Sequence, residues 1–127
     1  MKPRTVLYVE DNEFNRKIVR QLLSRTTYRL VEALDGETGV AMAVQDPPDL
    51  VLMDVQLPKL SGLDATRALR NDPRTAHVPI IVVTSFALSG DAAKAMEAGA
   101  SAYVAKPYSP RELLALIRQF APEETTR

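Results

Sequence analysis

Five short runs of apolar and β-branched residues, separated by segments with helical spacing, constrain this chain more than any other feature. The runs are TVLYV at 5–9, YRLVEA at 28–33, DLVLM at 49–53, PIIVVT at 79–84 and SAYVA at 101–105. Runs of this kind are typical of β-strands, and three of them are apolar along nearly their whole length, like strands buried on both faces. Their alternation with helices predicts an α/β fold in which helices cover both faces of a parallel sheet.

The segments between the strands carry the signals of five helices. In the first, Phe14, Ile18 and Leu22 recur every four residues and predict one wide apolar stripe. The fourth helix is expected over 88–98, ending at Gly99. Good N-cap residues precede the other three helices, and the last of them is followed by a proline and a capping-box glutamate: Asp35, Ser61, and Ser109 with Pro110 and Glu112.

The composition limits the classes of protein to which the chain can belong. Its 127 residues suit one domain, and its 16 basic residues balance 16 acidic ones, so neither a nucleic-acid partner nor a membrane partner is expected. Cysteine is absent, which excludes disulfides and thiolate metal sites and fits a reducing compartment. The apolar N-terminal segment is too short for a signal peptide or a membrane span. We expect a soluble, cytoplasmic domain over 1–121 and a tail at 122–127.

Charged and hydroxyl side chains follow four of the five predicted strands. Glu10 and Asp11 end the first strand, Asp54 the third, Thr84 the fourth, and Lys106 the fifth. In parallel α/β sheets, ligands bind at the carboxyl ends of the strands, near the point where the strand order reverses. We therefore expect these side chains to share one site.

Three carboxylates at one site repel one another, by about 3 kcal/mol per pair at about 5 Å and an effective dielectric near 20. Lys106 supplies only one positive charge, so the deficit indicates a hard divalent cation, and Mg²⁺ suits a site of few carboxylates. A carboxylate nucleophile, Mg²⁺, a lysine and the hydroxyl of Thr84 together make a site for phosphoryl transfer to an aspartate. Asp54 is the expected acceptor, because it ends the central strand.

Four segments carry a resemblance to a known family. They resemble the signature blocks of the response-regulator receiver domain of two-component signalling, in the family's order and spacing. The segments are VLYVEDNEFNR, LVLMDVQLPKLSGLD, VVTSFA and YVAKPYSP. The resemblance covers essentially the whole chain. It implies a flavodoxin-like sheet with strand order 2-1-3-4-5. It also implies that Asp54 is phosphorylated by a histidine kinase or a histidine phosphotransfer protein.

The resemblance also implies how a metal is held. Mg²⁺ is expected on Asp11, Asp54 and the main-chain carbonyl of Gln56, with Glu10 acting through water. Glu10 stands where aspartate is commoner in the family, and its extra methylene favours the water-mediated role. Gln56 and Phe86 occupy positions that tune hydrolysis in similar receivers, and the bulk of Phe86 is expected to slow it.

The remaining roles implied by the family concern phosphoryl binding and switching. Lys106 is expected to bind a phosphoryl oxygen, and its peptide bond to Pro107 is expected to be cis, as in similar proteins. Thr84 and Tyr103 match the family's switch pair, in which the hydroxyl moves to the phosphoryl group and the ring turns inward.

We predict a stand-alone receiver, similar to small regulators of chemotaxis and cell-cycle control, and not an enzyme with a turned-over substrate. Its output surface is expected to be formed by the fourth helix, fifth strand and fifth helix, with dimerisation on phosphorylation left open. An alternative is a receiver module from a larger hybrid kinase or multidomain regulator.

Three other classes remain as competing hypotheses. A flavin-binding module would need a loop rich in Ser, Thr and Gly after the first strand, where EDNEFN stands instead. A haloacid dehalogenase-type phosphatase would need a second aspartate two residues after the nucleophile, where Gln56 stands, and a cap domain. A receiver-like adaptor that works without phosphate would not need the acid, hydroxyl and lysine set.

Overall fold

The computed structural model describes residues 3–84 and 91–123. Strands and helices alternate strictly along them, which confirms the predicted α/β pattern. In chain order the elements are β1 Thr5–Val9, α1 Glu13–Leu23, β2 Arg29–Ala33, α2 Gly36–Gln45, β3 Leu50–Asp54, α3 Gly62–Asn71, β4 Ile80–Thr84, α4 Asp91–Ala98, β5 Ala102–Ala105 and α5 Pro110–Phe120. No helix within the described ranges is long and apolar enough to cross a membrane.

All five strands are parallel and lie in the order β2-β1-β3-β4-β5, which confirms the order expected from the resemblance. The register decides which residues meet at the carboxyl rim of the sheet. Val9 of β1 pairs with Met53 of β3, so the next residue on each strand, Glu10 and Asp54, emerges at the same level. Asp54 pairs in turn with Val83 of β4. The two central strands therefore deliver their acidic ends side by side.

Two apolar layers hold the sheet between its helices, because successive strand residues point to opposite faces. One layer lies under α2, α3 and α4, and its members include Leu7, Val9, Val51, Met53, Leu69 and Ala95. The other lies under α1 and α5, and its members include Val6, Tyr8, Leu52, Val19, Leu113 and Ile117. Tyr8 and Leu52 belong to the layer on the α1 and α5 side. Glu10 and Asp54 come two residues after them, so their side chains point toward the same face of the sheet.

The three helix starts predicted from N-cap residues are confirmed, but only two of the three caps make the expected hydrogen bond. Asp35 and Ser61 each accept a hydrogen bond from a backbone N–H in the first turn, at 2.7 Å and 3.2 Å. Ser109 precedes α5 with Pro110 in the first turn, but its side chain makes no capping bond. The first turn of α5 is exposed, so water can satisfy its free N–H groups and the predicted capping box is not required. The predicted start of the fourth helix at residue 88 lies outside the described residues.

The predicted apolar stripe of the first helix is only partly buried. Val19 and Leu23 pack into the core, whereas Phe14 is 71% exposed. Phe14 lies in the first turn of α1, close in the chain to the rim residues Glu10 and Asp11. Phe14 there lines a surface groove of about 470 Å³, together with Ile18, Lys106, Pro107, Tyr108 and Pro110.

The end of α5 is tied to the opposite, amino-terminal edge of the sheet. The hydroxyl of Tyr28, just before β2, donates to the carbonyl of Ala121. Arg4 Nε donates to the carbonyl of Pro122 at 2.7 Å. Residues 121–122 therefore contact the domain, and residues 124–127 of the predicted tail lie outside the described part of the chain.

Gly62 sets the path of the loop between β3 and α3. Its N–H donates to the carbonyl of Val55 at 2.9 Å, and a Cβ atom at this position would lie 1.9 Å from the carbonyl oxygen of Asp54. Such a contact is with backbone and cannot relax by a side-chain movement. Only glycine lets the loop fold back this closely against the end of β3.

Gly62→Ala is therefore expected to lower the free energy of unfolding by about 1–3 kcal/mol, because the added methyl group must push the end of β3 away from the loop. Urea denaturation followed by circular dichroism measures the change. Arg67→Ala, on the exposed face of the same helix, is the control and should change stability by about 0.5 kcal/mol or less. Equal effects of the two substitutions would contradict the steric account.

Candidate functional site

Three carboxylates meet at the carboxyl rim, as predicted from the strand ends. Glu10, Asp11 and Asp54 each offer an oxygen atom, and these atoms all lie within 4.8 Å of one another. Glu10 is 1% exposed and Asp54 is 6% exposed, whereas Asp11 is open to solvent. The pocket is therefore closed on the side of the sheet and open on the side of Asp11.

Lys106 brings the positive charge that the sequence predicted. Its backbone N–H donates to the carbonyl of Thr84 at 2.7 Å, which extends the pairing of β4 and β5 by one residue. The Lys106–Pro107 peptide bond is cis, as expected. The Nζ atom lies 3.2 Å from Glu10 Oε1 and 3.5 Å from Asp54 Oδ1, so one ammonium group contacts both buried acids.

Glu10 accepts hydrogen bonds from three further donors, none of which was predicted. The hydroxyl of Tyr8 donates to Oε1 at 3.2 Å, and Asn15 Nδ2 donates to the same oxygen at 3.3 Å. The N–H of Asn12 donates to Oε2 at 3.2 Å, while the Asn12 side chain caps α1. The period of two along a strand places Tyr8 and Glu10 on one face, and this signal could have found Tyr8.

The electrostatics of the pocket shift the pKa values of the two buried acids in opposite directions. Burial, and then the charge of Glu10, raise the pKa of Asp54 to about 7 against the opposing charge of Lys106. Burial also acts to raise the pKa of Glu10, but the charge of Lys106 and the bond from Asn12 outweigh it, so that pKa is lowered. Oxygen atoms of the two carboxyl groups lie within 4.8 Å of each other, so the charge of one acts directly on the other. Asp54 is therefore the member of the pair that keeps a proton in the absence of a cation.

The donor set fits a hard divalent cation. Every candidate ligand is an oxygen atom, and the exposed side of Asp11 leaves room for water molecules, as magnesium sites in proteins require. Binding of such a cation would displace the proton from Asp54 and relieve the repulsion among the acids. Gln56 lies exposed two residues beyond Asp54. Its main-chain carbonyl as a ligand stays a prediction.

The predicted switch residues lie on β4, which pairs with the strand of Asp54, and on β5, which pairs with β4. Thr84 ends β4 and is fully buried, one residue beyond the partner of Asp54. Tyr103 lies on the edge strand β5 and is 40% exposed. Phe86 lies outside the described residues. The positions suit the predicted roles of Thr84 and Tyr103, and the roles themselves stay predictions.

The pKa of Asp54 predicts how the cation-free protein responds to pH. Its folded-state pKa of about 7 lies above the ordinary value of 3.8, so the folded state holds this proton more tightly than the unfolded chain does. The resulting stabilisation is complete below about pH 4 and is lost as the pH rises through about 7. Asp54→Asn removes the titrating group and is expected to stabilise the protein more at pH 8 than at pH 5, by about 2 kcal/mol.

Urea denaturation in the presence of a chelator, at both pH values, measures this difference. Asp64→Asn is the matched control, because Asp64 is an exposed aspartate on α3. A stabilisation by Asp54→Asn that does not grow between pH 5 and pH 8 would contradict the assignment of the proton to Asp54.

Comparison with known proteins agrees with the geometry. The family model of the response regulator receiver domain matches residues 6–118. The chain is 38% identical over 118 residues to the polar-differentiation response regulator DivK of Brucella anthropi, which covers 93% of this chain and 96% of that protein.

Solved structures agree as well. The receiver domain of sensor histidine kinase PA1611 from Pseudomonas aeruginosa superposes with a TM-score of 0.87 at 36% identity, over 93% of this chain and 97% of that one, and has a magnesium ion coordinated in its active site cleft. The chemotaxis protein CheY4 of Vibrio cholerae superposes with a TM-score of 0.85 at 26% identity, over 92% and 98% of the two chains. This chain, with its acidic pocket at the rim of the sheet, therefore belongs to the response regulator receiver domain family.

Proposed function

We propose that this protein is a phosphorelay response regulator that accepts a phosphoryl group on Asp54 from a histidine kinase or a histidine phosphotransfer protein, with Mg²⁺ bound beside it. The observation that carries the proposal is the position of the Asp54 carboxyl group, buried between two further acids and Lys106. This arrangement supplies a nucleophile and an ammonium group, and its three acids are the oxygen donors that a divalent cation needs.

Mg²⁺ would be held by Asp11, Asp54 and the main-chain carbonyl of Gln56, with Glu10 contributing through a water molecule. The magnesium ion in the related receiver domain of Pseudomonas aeruginosa supports this choice of metal. When bound, the ion draws negative charge away from phosphoryl oxygens. The burial of Glu10 and its four hydrogen-bond donors keep this acid in place at the back of the site.

In the transfer step, an Oδ atom of Asp54 attacks the phosphorus atom of a phosphohistidine. A P–O bond forms, the P–N bond breaks, and the imidazole nitrogen keeps the electron pair of the broken bond. Lys106 Nζ, which lies 3.5 Å from Asp54 Oδ1, is placed to bind one phosphoryl oxygen. The hydroxyl of Thr84 would bind another oxygen after a small movement toward the site.

Phosphorylation would be read out on the surface formed by α4, β5 and α5. Two exposed apolar side chains lie there, Met96 on α4 and Tyr103 on β5, at 49% and 40% exposure. An acyl phosphate on Asp54 adds charge and acceptor oxygens, and its pull on Thr84 biases an equilibrium in which the ring of Tyr103 turns inward. The downstream partner is a protein that distinguishes the two states, and the same surface is available to a second copy of this chain.

The relatives support two versions of this role. The alignment with DivK spans 96% of a response regulator and supports a stand-alone regulator. For this version we propose a cytoplasmic protein with the receiver at 1–121 and a tail at 122–127. The likeness to a receiver domain of a sensor histidine kinase supports the alternative, a receiver module of a larger hybrid kinase or multidomain regulator. The mass of the protein detected by antibody in its native cells distinguishes them.

Incubation with acetyl phosphate and Mg²⁺ is expected to add one phosphoryl group to the protein, because a small acyl phosphate can reach the open side of the pocket. Intact mass measurement detects the product. Asp54→Asn should gain none, while the control Asp64→Asn should be modified like the parent, and a chelator should block the reaction. A parent protein that stays unmodified with donor and Mg²⁺ in excess would refute the proposed function.

The switch is tested by hydrogen exchange of the phosphorylated protein, followed by mass spectrometry. Peptides from α4 and β5 are expected to change their exchange rates by roughly twofold or more, while peptides from α2 stay unchanged. In Thr84→Ala, phosphorylation of Asp54 should leave α4 and β5 as they are in the unmodified protein. Changes confined to the loops around Asp54 would contradict the proposed output surface.

A further inference from the structure

We propose that Tyr8 is a positioning residue for the metal site: its buried hydroxyl fixes Glu10 at the distance from which that acid acts on Mg²⁺ through water. The proposal rests on the proposed function, since it assigns a role within the same pocket. Tyr8 is not among the site residues predicted from the sequence.

The geometry shows why Glu10 needs such a residue. A glutamate has one more rotatable bond than an aspartate, so its carboxylate can reach several positions from the same backbone. Three of its four donors are side chains, and two of these, Asn15 and Lys106, are partly exposed. Tyr8 differs from them because its ring is 1% exposed and packed in the core.

The hydroxyl of Tyr8 is therefore a fixed point in the pocket. It lies 3.2 Å from Glu10 Oε1 and draws that oxygen back toward the sheet. Tyr108, in the segment that follows the cis Lys106–Pro107 bond, packs against the same apolar layer as Tyr8. The bond from Tyr8 to Glu10 is thus a polar contact at the edge of an otherwise apolar layer.

The bond from Tyr8 explains how glutamate, which is longer than aspartate, is accommodated at the end of β1. With Oε1 held by Tyr8, the Glu10 carboxylate would keep the position from which it contributes to the metal site through water. Without the hydroxyl, the glutamate side chain can adopt other rotamers and approach Asp54, which disturbs the arrangement of the ligands. Outer-shell partners of this kind commonly matter about 10-fold to 100-fold for metal affinity.

The test is the affinity for Mg²⁺, measured by isothermal titration calorimetry without any phosphodonor. Tyr8→Phe keeps the ring and removes the hydroxyl, and it is expected to weaken Mg²⁺ binding about 10-fold. Tyr28→Phe is the matched control, because it removes another buried tyrosine hydroxyl, bonded to Ala121 at the far edge of the sheet. The control should bind Mg²⁺ like the parent.

A second background separates positioning from a general structural effect. Glu10→Asp shortens the acid by one methylene and withdraws it from Tyr8, so adding Tyr8→Phe to Glu10→Asp should produce no further loss of affinity. An equal loss in both backgrounds would overturn the proposal, and so would a Tyr8→Phe protein that binds Mg²⁺ like the parent. If Tyr8→Phe does not fold by circular dichroism, Tyr108→Phe is measured instead, with a smaller loss expected and parent-like affinity counting against the proposal.

The Mg²⁺ titration distinguishes failure of the metal site from failure of the role of Tyr8. A parent protein that does not bind Mg²⁺ refutes the metal site of the proposed function, and the role of Tyr8 with it. A parent that binds Mg²⁺ with an affinity indifferent to Tyr8 refutes only the role of Tyr8.

Discussion

The structure depends on one electrostatic constraint, the gathering of three carboxylates at the end of two buried strands with a single ammonium group beside them. Each of the two buried acids in this cluster, Glu10 and Asp54, is nearly inaccessible to water. Water therefore does little to reduce their repulsion, and the pocket must hold either a proton or a cation. In the absence of a cation the pocket holds a proton, and for this reason the pKa of Asp54 is raised.

The fold supports this strained group of charges by making its surroundings rigid. β1 and β3 lie inside the sheet, so their ends cannot move apart without breaking the pairing of Val9 with Met53. The loop after β3 packs against the carbonyl of Asp54 through Gly62, which leaves no space for a side chain. A site that cannot expand can lower its energy only by changing its charge, and binding of a divalent cation does this directly.

The sequence allowed the sheet and the acids of the site to be predicted, because both follow from local patterns. Apolar runs predict strands, and the rule for strand ends brings Glu10 and Asp54 together without any knowledge of side-chain positions. The features that were missed depend on contacts between distant elements. The bond from Tyr8 to Glu10 depends on the rotamers of both side chains. The exposure of Phe14 depends on which part of α1 packs against the sheet, and the missing capping bond from Ser109 depends on how exposed the first turn of α5 is.

The position of Lys106 suggests how the charges rearrange when a phosphoryl group arrives. Its Nζ atom contacts Glu10 at 3.2 Å and Asp54 at 3.5 Å, so the ammonium group is shared between the two acids. A phosphoryl group on Asp54 carries more negative charge than a carboxylate and would attract Lys106 more strongly. Glu10 would then lose part of its contact with the lysine and depend more on its other donors. Among the side chains that donate to Glu10, only Tyr8 is held in the core. Its contribution to the position of Glu10 should therefore increase when Asp54 is phosphorylated.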